Sequence, residues 1–367
     1  MSTFTDIRNY YFKHFRHKPV YVKAPGRINL AGEHLDYNLG FALPSAIDRY
    51  VYFAASKNGE QSLVRIYSVD YNEYFEANTL QLAPIKYHWS NYITGVIQML
   101  QMYSGRSISG FDVVFGGDLP RGAGLSSSAA VECGMAVTLC HLFGIEIDRM
   151  QLAKLCLQAE HEFAGVKCGL LDQFSSLFGK AGFVMSINFK TLNYRYIPLN
   201  MDGFSVLMFN TNKPHTLAEG NEFNKRVASC RQGVEALQQH IVNIDCLCDA
   251  SPGQLNEVKA NLDEVSFDRC TYIVEENIRY HQALKALEEN NLVLFGKLLF
   301  DTHNGLKSLY GISCKELDLL IDYAKGNSNI LGAKLMGGGY GGCTINIVKS
   351  DSVDQISRER SEEHTSE

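Results

Sequence analysis

A glycine- and serine-rich segment, LPRGAGLSSSAA (119–130), joins a strand-like run to a helix-like run and limits what the chain can fold into. The preceding run FDVVF (111–115) is typical of a buried strand, and helical periodicity begins at Ser127. An ordinary turn needs one glycine at most, whereas Gly122 and Gly124 are followed here by three consecutive serines. Small residues let the backbone approach a ligand closely, and the first amides of a helix attract anions. The segment therefore predicts a phosphate-binding loop between a strand and a helix.

The same segment lacks the complete signature of two well-known nucleotide loops. Gly124 is followed by Leu125 and Ser126, where a P-loop has lysine and then serine or threonine. In the dinucleotide-binding fingerprint, a glycine would stand at the position of Ser127. One hydroxyl of Ser126, Ser127 or Ser128 could ligate Mg²⁺, as P-loop serines do. The alternative is a structural turn with a serine N-cap, which the residues alone leave open.

A second polar cluster lies in APGRINLAGEHLDYN (24–38), inside a stretch that is otherwise apolar and strand-like. Four charged or titratable residues occur within ten positions: Arg27, Glu33, His34 and Asp36. Charged side chains are rarely buried unless they are paired. The functional interpretation is a polar pocket whose carboxylates accept hydrogen bonds from the hydroxyl groups of a sugar. The alternative is a surface cluster of salt bridges around a β-bulge.

The third candidate is Asp172 in CGLLDQF (168–174), which follows a helical stretch that contains Glu160. An arginine beside an aspartate favours the ionised form of the carboxyl group. Such a carboxylate can orient a hydroxyl group and accept its proton, which is the work of a general base. The structural alternative for Asp172 is the cap of a helix.

The fourth feature is GAKLMGGGYGGC (332–343), in which three consecutive glycines are followed by two more. Glycine in the interior of a helix or strand is destabilising by roughly 0.5–1 kcal/mol relative to alanine. Such a dense cluster therefore favours a loop that closes over a ligand, and a plain linker is the alternative.

The overall composition excludes several classes of function. The 367 residues carry a formal net charge of −6, with 46% hydrophobic and 20% charged residues, which is the balance of a globular protein. This charge predicts no general attraction to nucleic acid or to an anionic membrane surface. No apolar run approaches the roughly 20 residues that span a bilayer, and residues 4–15 predict an amphipathic surface helix. The lack of any CxxC motif among the ten cysteines argues against a metal site or a disulfide framework. The first residues do not resemble a secretory signal, so we expect reduced thiols and a cytoplasmic location.

The chain is expected to form two domains of mixed helices and strands. The first covers residues 1–200 and contains the polar cluster at 24–38 and the predicted phosphate loop. The second covers residues 201–350, from the strand-like FSVLMFNT (204–211) to CTINIVKS (343–350). The last residues, 351–367, are polar and without periodicity, which predicts a disordered or artefactual tail.

Together these segments resemble the GHMP small-molecule kinases and, within them, the galactokinase family. GRINLAGEHLDY is similar to the galactokinase sugar signature, LPRGAGLSSSAA to the ATP motif, and GGGYGGC to the third family motif. The resemblance, which runs from about residue 20 to residue 348, implies an α+β fold. Its N-terminal domain would be like the second domain of ribosomal protein S5, and its C-terminal domain would be ferredoxin-like. It also implies a site in the cleft between them, where ATP and Mg²⁺ serve to phosphorylate D-galactose at the anomeric hydroxyl.

The resemblance implies a role for each matching residue. Asp172 matches the catalytic base, and Arg27 matches its partner, which also faces the transferred phosphoryl group. Ser128 and Glu160 match the Mg²⁺ ligands, and Trp89 matches an aromatic residue that flanks adenine. The residues that match sugar contacts are Glu33, His34, Asp36 and Gly169. The residues that match the phosphate loop are Gly122, Ala123, Gly124, Leu125, Ser126, Ser127 and Ser128.

Two departures from the family pattern affect these expectations. In LAEGNEFNKR (217–226), Phe223 stands where the family usually has a tyrosine that contacts the sugar. Phe223 therefore stays a sugar-site residue whose hydroxyl contact is lost or replaced, and N-acetylgalactosamine and L-arabinose remain alternative substrates. The family chain also normally continues past the CTINIV strand, so this chain is expected to be shortened and less stable. We expect a monomer, and a non-catalytic sensor of galactose and ATP is the alternative from another class.

Overall fold

The computed structural model describes residues 2–120, 122–213 and 222–363 of the chain. Within these ranges the helices are α1 (Phe4–His14), α2 (Asn91–Ser104), α3 (Ser127–Phe143), α4 (Arg149–Ala159), α5 (Leu171–Phe178), α6 (Glu222–Gln238), α7 (Pro252–Glu257), α8 (Glu264–Glu288), α9 (Leu292–Ser308), α10 (Lys315–Gly326) and α11 (Val353–Glu363). The strands are β1 (Val20–Asn29), β2 (Phe41–Ala42), β3 (Pro44–Lys57), β4 (Leu63–Ser68), β5 (Glu73–Asn78), β6 (Phe111–Gly117), β7 (Phe183–Asn188), β8 (Tyr194–Pro198), β9 (Phe204–Asn210), β10 (Ile330–Met336) and β11 (Cys343–Lys349).

In the N-terminal part of the described chain, five strands form a sheet in the order β1–β3–β6–β4–β5. β4 and β6 are parallel, and the other neighbours are antiparallel. β6 is buried on both faces: Val114 packs with Ile7 and Tyr11 of α1, whereas Val113 and Phe115 belong to the main core. The predicted amphipathic helix and the predicted FDVVF strand are both confirmed.

A close contact between α3 and the sheet sets where the phosphate loop lies. A β-carbon at Gly134 would lie 2.2 Å from the ring of Phe53 on β3, so the helix can sit this close only because Gly134 has no side chain. The Gly/Ser segment then connects the end of β6 to the start of α3. The predicted order of strand, loop and helix is confirmed.

α4 and the strands β7 and β8 complete the N-terminal half. Asp148 caps α4 by accepting hydrogen bonds from the amides of Met150 (2.8 Å) and Gln151 (3.2 Å), and α4 runs into a π-helical turn over Glu160–Ala164. β7 and β8 form an antiparallel hairpin, and β7 also pairs with β2.

The C-terminal half is a three-stranded antiparallel sheet in the described residues, ordered β10–β11–β9, with α9 and α10 packed on it. α9 approaches β10 backbone to backbone, because a β-carbon at Gly332 would lie 2.0 Å from the carbonyl oxygen of Gly296. α8 packs on α9 and faces the N-terminal half. The α+β class predicted from the sequence is confirmed.

The prediction of a disordered tail from residue 351 is wrong for the residues that the structure describes. Val353–Glu363 forms α11, and Ile356 is fully buried against the sheet. Tyr323 Oη donates to Glu359 at 2.6 Å. The helix contributes so few apolar residues that no periodicity is visible in the sequence, and its order comes from these tertiary contacts. Residues 364–367 lie outside the described part of the chain.

Two global findings concern the membrane and the thiols. None of the helices in the described ranges is both long enough and apolar enough to cross a bilayer. The ten cysteines are free thiols, and each is buried or half-buried.

Candidate active site

A cavity of about 890 Å³ is lined by loops from both halves of the molecule. Every predicted site residue lines it except Ala123, which is buried inside the phosphate loop. The residues that the structure brings together in this way are Arg27, Glu33, His34, Asp36, Trp89, Gly122, Gly124, Leu125, Ser126, Ser127, Ser128, Glu160, Gly169, Asp172 and Phe223.

The phosphate loop has the backbone geometry of an anion site. Gly122 and Gly124 have φ values of +67° and +74°, and Ser126 has a φ of +60° immediately before α3. The first helical hydrogen bond runs from the Ala130 amide to the Ser126 carbonyl oxygen at 3.0 Å, so the amides of the preceding turn have no partner within the helix. The Ser126 hydroxyl is buried without a hydrogen-bond partner among the described residues. These donors suit a phosphate group.

Arg27 connects the phosphate loop to Asp172. It lies at the bulge of β1, where the pairing with β3 shifts register after Pro25. Its Nε donates to Asp172 Oδ1 at 2.7 Å, and its Nη1 donates to the carbonyl oxygen of Gly124 at 2.7 Å. Asp172 lies in the first turn of α5, but the N-cap of that helix is Leu170. The arginine pair, rather than helix capping, therefore accounts for the position of Asp172.

Asp36 and Gly169 are in direct contact at the floor of the cavity. A β-carbon at Gly169 would lie 2.1 Å from Asp36 Oδ2. Burial, together with the negative charges of Asp172 and Glu33, raises the pKa of Asp36 to about 7, against hydrogen bonding from the Tyr37 amide. Asp36 is therefore a half-buried carboxyl group that can accept or donate a hydrogen bond near neutral pH.

Aromatic side chains form the wall next to Asp36. His34, whose φ is +65°, bonds through Nδ1 to the hydroxyl of Tyr37 at 2.8 Å. Tyr37 in turn is hydrogen-bonded to Tyr310, and the Phe223 ring lies 5.2 Å from the ring of Tyr37 and 5.9 Å from that of His34. Tyr310 is a residue that the sequence analysis missed, because it is far along the chain from the sugar motif and belongs to no motif of its own.

Glu33 lies in the cavity wall, but one of its oxygens is already engaged. Its Oε1 accepts a hydrogen bond from Lys334 of β10, and both side chains are buried. Lys334 was also missed, since a lysine within a strand-like run carries no local signal of function.

Ser128 and Glu160 form the predicted metal pair. Burial, and next the charge of Asp172, raise the pKa of Glu160 to about 7, although hydrogen bonds from Cys168, Gln173 and Ser128 oppose the shift. In the described ranges no three His, Cys, Asp or Glu side chains group as a metal cage. Mg²⁺ in phosphoryl-transfer sites is held by one or two protein oxygens together with substrate phosphates. A hydroxyl and a carboxylate at the rim of the phosphate loop fit that pattern.

Gln173 supports the Glu160 carboxylate through a hydrogen bond. Its Nε2 donates to Glu160 Oε2 at 2.6 Å and to Glu132 Oε2 at 3.0 Å. Glu132 and Gln173 are fully buried, and burial raises the pKa of Glu132 well above its ordinary value. Gln173 stands beside Asp172 in the predicted motif, but nothing in the sequence pointed to Glu132 in the middle of α3.

Trp89 lies in the opposite wall of the cavity. Its Nε1 donates to Glu73 Oε2 at 2.7 Å, and its ring stacks on Tyr71 with centroids 5.9 Å apart and an interplanar angle of 16°. Tyr71, Tyr87 and Tyr92 line the same region. The arrangement offers flat apolar surfaces to an aromatic base.

The GGGYGGC motif (337–343) of the C-terminal half packs against the phosphate loop. A β-carbon at Gly124 would lie 3.0 Å from the Met336 carbonyl oxygen, and one at Gly342 would lie 3.3 Å from the backbone of Ala123. Gly337 and Gly338 line the cavity. The two loops therefore touch through their backbones, in agreement with the expected ligand loop rather than a linker.

Three family models match the chain. They are the galactokinase galactose-binding signature over residues 9–57, the GHMP kinases N terminal domain over residues 91–180, and the GHMP kinases C terminal model over residues 283–364.

Two relatives match over most of their length. The chain is 37% identical over 347 residues to the galactokinase of Clostridium beijerinckii, covering 94% of this chain and 88% of that protein. It is 36% identical over 338 residues to the galactokinase of Thermotoga neapolitana, covering 92% of each.

Solved structures are also similar to this chain. Lactococcus lactis galactokinase complexed with galactose has a TM-score of 0.89 and 32% identity, covering 95% of this chain and 90% of that chain. The Methanococcus jannaschii mevalonate kinase, with a TM-score of 0.68 and 21% identity over 95% and 96% of the two chains, shares the fold. Identity at the level of the galactokinases, sustained through both halves of the sequence, goes beyond a common fold, and the chain belongs to the galactokinase family of the GHMP kinases.

Proposed function

We propose that this chain transfers the γ-phosphoryl group of ATP to the anomeric hydroxyl of D-galactose, giving galactose 1-phosphate and ADP. The observation that carries the proposal is that Arg27 donates one hydrogen bond to Asp172 and another to Gly124, each at 2.7 Å. One guanidinium thereby links the carboxylate that would receive the sugar proton to the loop that would hold the phosphates. The galactose-binding signature and the galactose-bound relative support galactose as the sugar.

The reaction follows from this placement. The sugar would lie against Asp36 and Gly169, with its anomeric hydroxyl directed at Asp172. Asp172 accepts the hydroxyl proton as the sugar oxygen attacks the γ-phosphorus; the new O–P bond forms and the bond to the bridging β–γ oxygen breaks. Arg27 and the amides of residues 122–128 stabilise the negative charge on the phosphoryl group. Positioning and electrostatic stabilisation supply most of the rate acceleration in such transfers.

The cavity also contains residues that would bind the nucleotide and its metal ion. Ser128 and Glu160 would hold Mg²⁺, which when bound neutralises charge on the phosphates. Trp89, whose ring stacks on Tyr71, would pack against one side of the adenine. The phosphate loop and its glycine support would receive the triphosphate.

Replacing the proposed base tests the proposal. Asp172→Asn is expected to abolish ADP production while ATP binding stays nearly unchanged, because the amide cannot accept the proton. Asp48→Asn, at an aspartate with an 89% exposed side chain, is the matched control and should leave turnover unaltered. Turnover retained in Asp172→Asn would remove Asp172 from the mechanism.

Phe223 favours a second candidate, a related sugar 1-kinase. Its ring packs against His34 and Tyr37 and offers no hydroxyl to the sugar. A coupled ADP-release assay with galactose, N-acetylgalactosamine, L-arabinose and glucose decides between the candidates, and the highest kcat/KM is expected with galactose. Calorimetry that detects both sugar and ATP binding, with no product formed, would instead identify a sensor.

The proposed enzyme acts as a cytoplasmic monomer without nucleic-acid or membrane partners. Size-exclusion chromatography with light scattering tests the oligomeric state, and cell fractionation tests the location. A dimeric mass or recovery with membranes would contradict these expectations.

A further inference from the structure

The turn that carries the sugar motif is held by buried side chains of the C-terminal half. The Gly32 amide donates to Glu276 Oε1 of α8 at 3.1 Å. Tyr272 Oη, also on α8, donates to the Glu33 carbonyl oxygen at 3.1 Å, and Lys334 of β10 donates to the Glu33 carboxylate. Lys334, Glu276 and Tyr272 are all fully buried. The sugar motif therefore depends on residues about 240 to 300 positions away in the sequence.

The charges of this region are balanced within the buried network. Glu33 pairs with Lys334, and Glu276 pairs with Arg279 through a 2.9 Å hydrogen bond. Thr302 Oγ1 also donates to both oxygens of Glu276. Burial raises the pKa of Glu276, but the positive charges of Arg279 and Lys334 oppose this shift. Two carboxylates and two cations thus stabilise one another where water is excluded.

Stability alone is a poor reason for such an arrangement. Taking an ammonium and a carboxylate out of water costs several kcal/mol per ion, and an apolar pair of similar volume is often equally stable or more stable. The Glu33–Lys334 pair lies at the cavity wall, because Glu33 lines the cavity while Lys334 has no exposed surface. Only Oε1 of Glu33 is bonded to Lys334.

We infer that Lys334 is a positioning residue for sugar recognition, which holds the Glu33 carboxylate in the orientation that lets it accept a hydrogen bond from one sugar hydroxyl. This inference rests on the proposed function, since it names how a residue of the C-terminal half acts on the sugar site. Lys334 contacts no substrate itself; it acts through Glu33. The C-terminal half thereby contributes to sugar affinity as well as to the support of the phosphate loop.

The first test compares three variants, Lys334→Met, Glu33→Gln and the double variant. Lys334→Met and Glu33→Gln are each expected to raise the KM for galactose about tenfold or more, the effect of losing a hydrogen bond to a charged group. kcat and the KM for ATP should stay within about threefold of the wild type, well below that tenfold effect. Lys307→Met, which removes an exposed lysine paired with Asp318, is the control and should change none of these values.

A series of monodeoxygalactoses separates positioning from general structural damage. If Lys334 acts through Glu33 on one hydroxyl, the penalties of Lys334→Met and Glu33→Gln should both shrink with the same deoxy sugar, the one that lacks that hydroxyl. Equal penalties with every deoxy sugar, or an equal rise in the KM for ATP, would show that Lys334 only holds the fold together and would overturn the inference.

Two further variants keep the test informative if Lys334→Met does not fold. The double variant removes both charges and should recover the thermal midpoint of the wild type, yet keep the raised KM of Glu33→Gln. Lys334→Arg keeps the charge and should retain most of the galactose affinity. A low galactose KM in the double variant, or loss of affinity in Lys334→Arg equal to that in Lys334→Met, would contradict the inference.

Calorimetry of galactose binding keeps this test separate from the proposed function. A wild-type chain that binds galactose without phosphorylating it would contradict the proposed function, and the weaker binding expected in Lys334→Met could still be measured. A wild-type chain that phosphorylates galactose, with a Lys334→Met variant of unchanged galactose affinity, would contradict only the inference about Lys334. A wild-type chain that binds no galactose would overturn both.

Discussion

The Cα of Gly169 lies directly against the carboxylate of Asp36, so closely that a β-carbon at position 169 would stand 2.1 Å from Asp36 Oδ2. A contact this short cannot be kept with a side chain present, so the carboxylate would have to move. Asp36 lines the cavity. The contact therefore places Gly169, which precedes α5, at the proposed sugar site.

Gly169→Ala is therefore expected to displace Asp36 and to raise the KM for galactose about tenfold, the size of one lost hydrogen bond to a charged group. The KM for ATP should change little. Steady-state kinetics with each substrate varied measures both values. Gly326→Ala is the matched control, since a β-carbon there would meet no atom within 4 Å. An unchanged galactose KM in Gly169→Ala would mean that Asp36 does not contact the sugar.

Asp36 should also make folding stability depend on pH. Its pKa is raised from 3.8 to about 7 in the folded protein, so between these values the folded state keeps a proton that the unfolded chain has released. This contribution to stability is present at low pH and is lost as the pH rises from about 4 to about 7. Above pH 7 the buried negative charge, near Asp172 and Glu33, remains as a destabilising feature.

Asp36→Asn should remove that dependence. The free energy of unfolding of the variant, relative to the wild type, is expected to increase by on the order of 1 to 3 kcal/mol between pH 5 and pH 8. Urea unfolding at several pH values measures the difference, in which the contributions of the other buried carboxyl groups largely cancel. Parallel stability profiles for the two proteins would contradict the raised pKa. Asp48→Asn serves as the exposed control.

Arg27→Lys tests whether the two hydrogen bonds of Arg27 act together. A lysine is a point charge without the planar fork that reaches two acceptors in fixed directions, so it cannot bridge Asp172 and Gly124 in the same way. We expect kcat to fall about a hundredfold, as when a donor to the transition state is removed, with smaller changes in both KM values. Arg195→Lys, at an exposed ion pair with Glu288, is the control. A variant with wild-type kcat would show that only the charge matters.

Gln173→Met tests the support behind Glu160. Methionine has a similar size but cannot donate the hydrogen bonds to Glu160 and Glu132, so the Glu160 carboxylate should lose its fixed orientation. The Kd for Mn²⁺ in the presence of ADP, measured by electron paramagnetic resonance, is expected to rise about tenfold. Gln158→Ala, which removes an exposed bond to Glu162, is the control. Unchanged Mn²⁺ binding would contradict a role for Gln173 at the metal pair.

The parts of the structure that could be predicted are those with strong local patterns. A short, largely apolar run indicated β6, and amphipathic spacing indicated α1. The cavity residues were predictable because each belongs to a short motif rich in glycine, serine or charge. Arg27, Asp172 and Gly124 could be named from such motifs, but their distances could not.

The parts that could not be predicted depend on contacts between distant segments. Glu33 and Lys334 are 301 positions apart, and a lysine in a strand-like run gives no sign that it is fully buried. Glu276 and Glu132 lie within helices, where a glutamate is expected on the exposed face. α11 was missed because Ile356 provides its main buried contact and one apolar residue sets no period.

The backbone contact between the two glycine loops limits how members of this lineage can exchange parts. At Gly124 and Gly342 each loop approaches the backbone of the other, so a side chain gained at either glycine would have to be accommodated by a shift of the opposing loop. A chimaera that takes its N-terminal half from one relative and its C-terminal half from another should keep a working nucleotide loop only when both parents bring glycine to this junction. The contact therefore couples two motifs that lie far apart in the sequence.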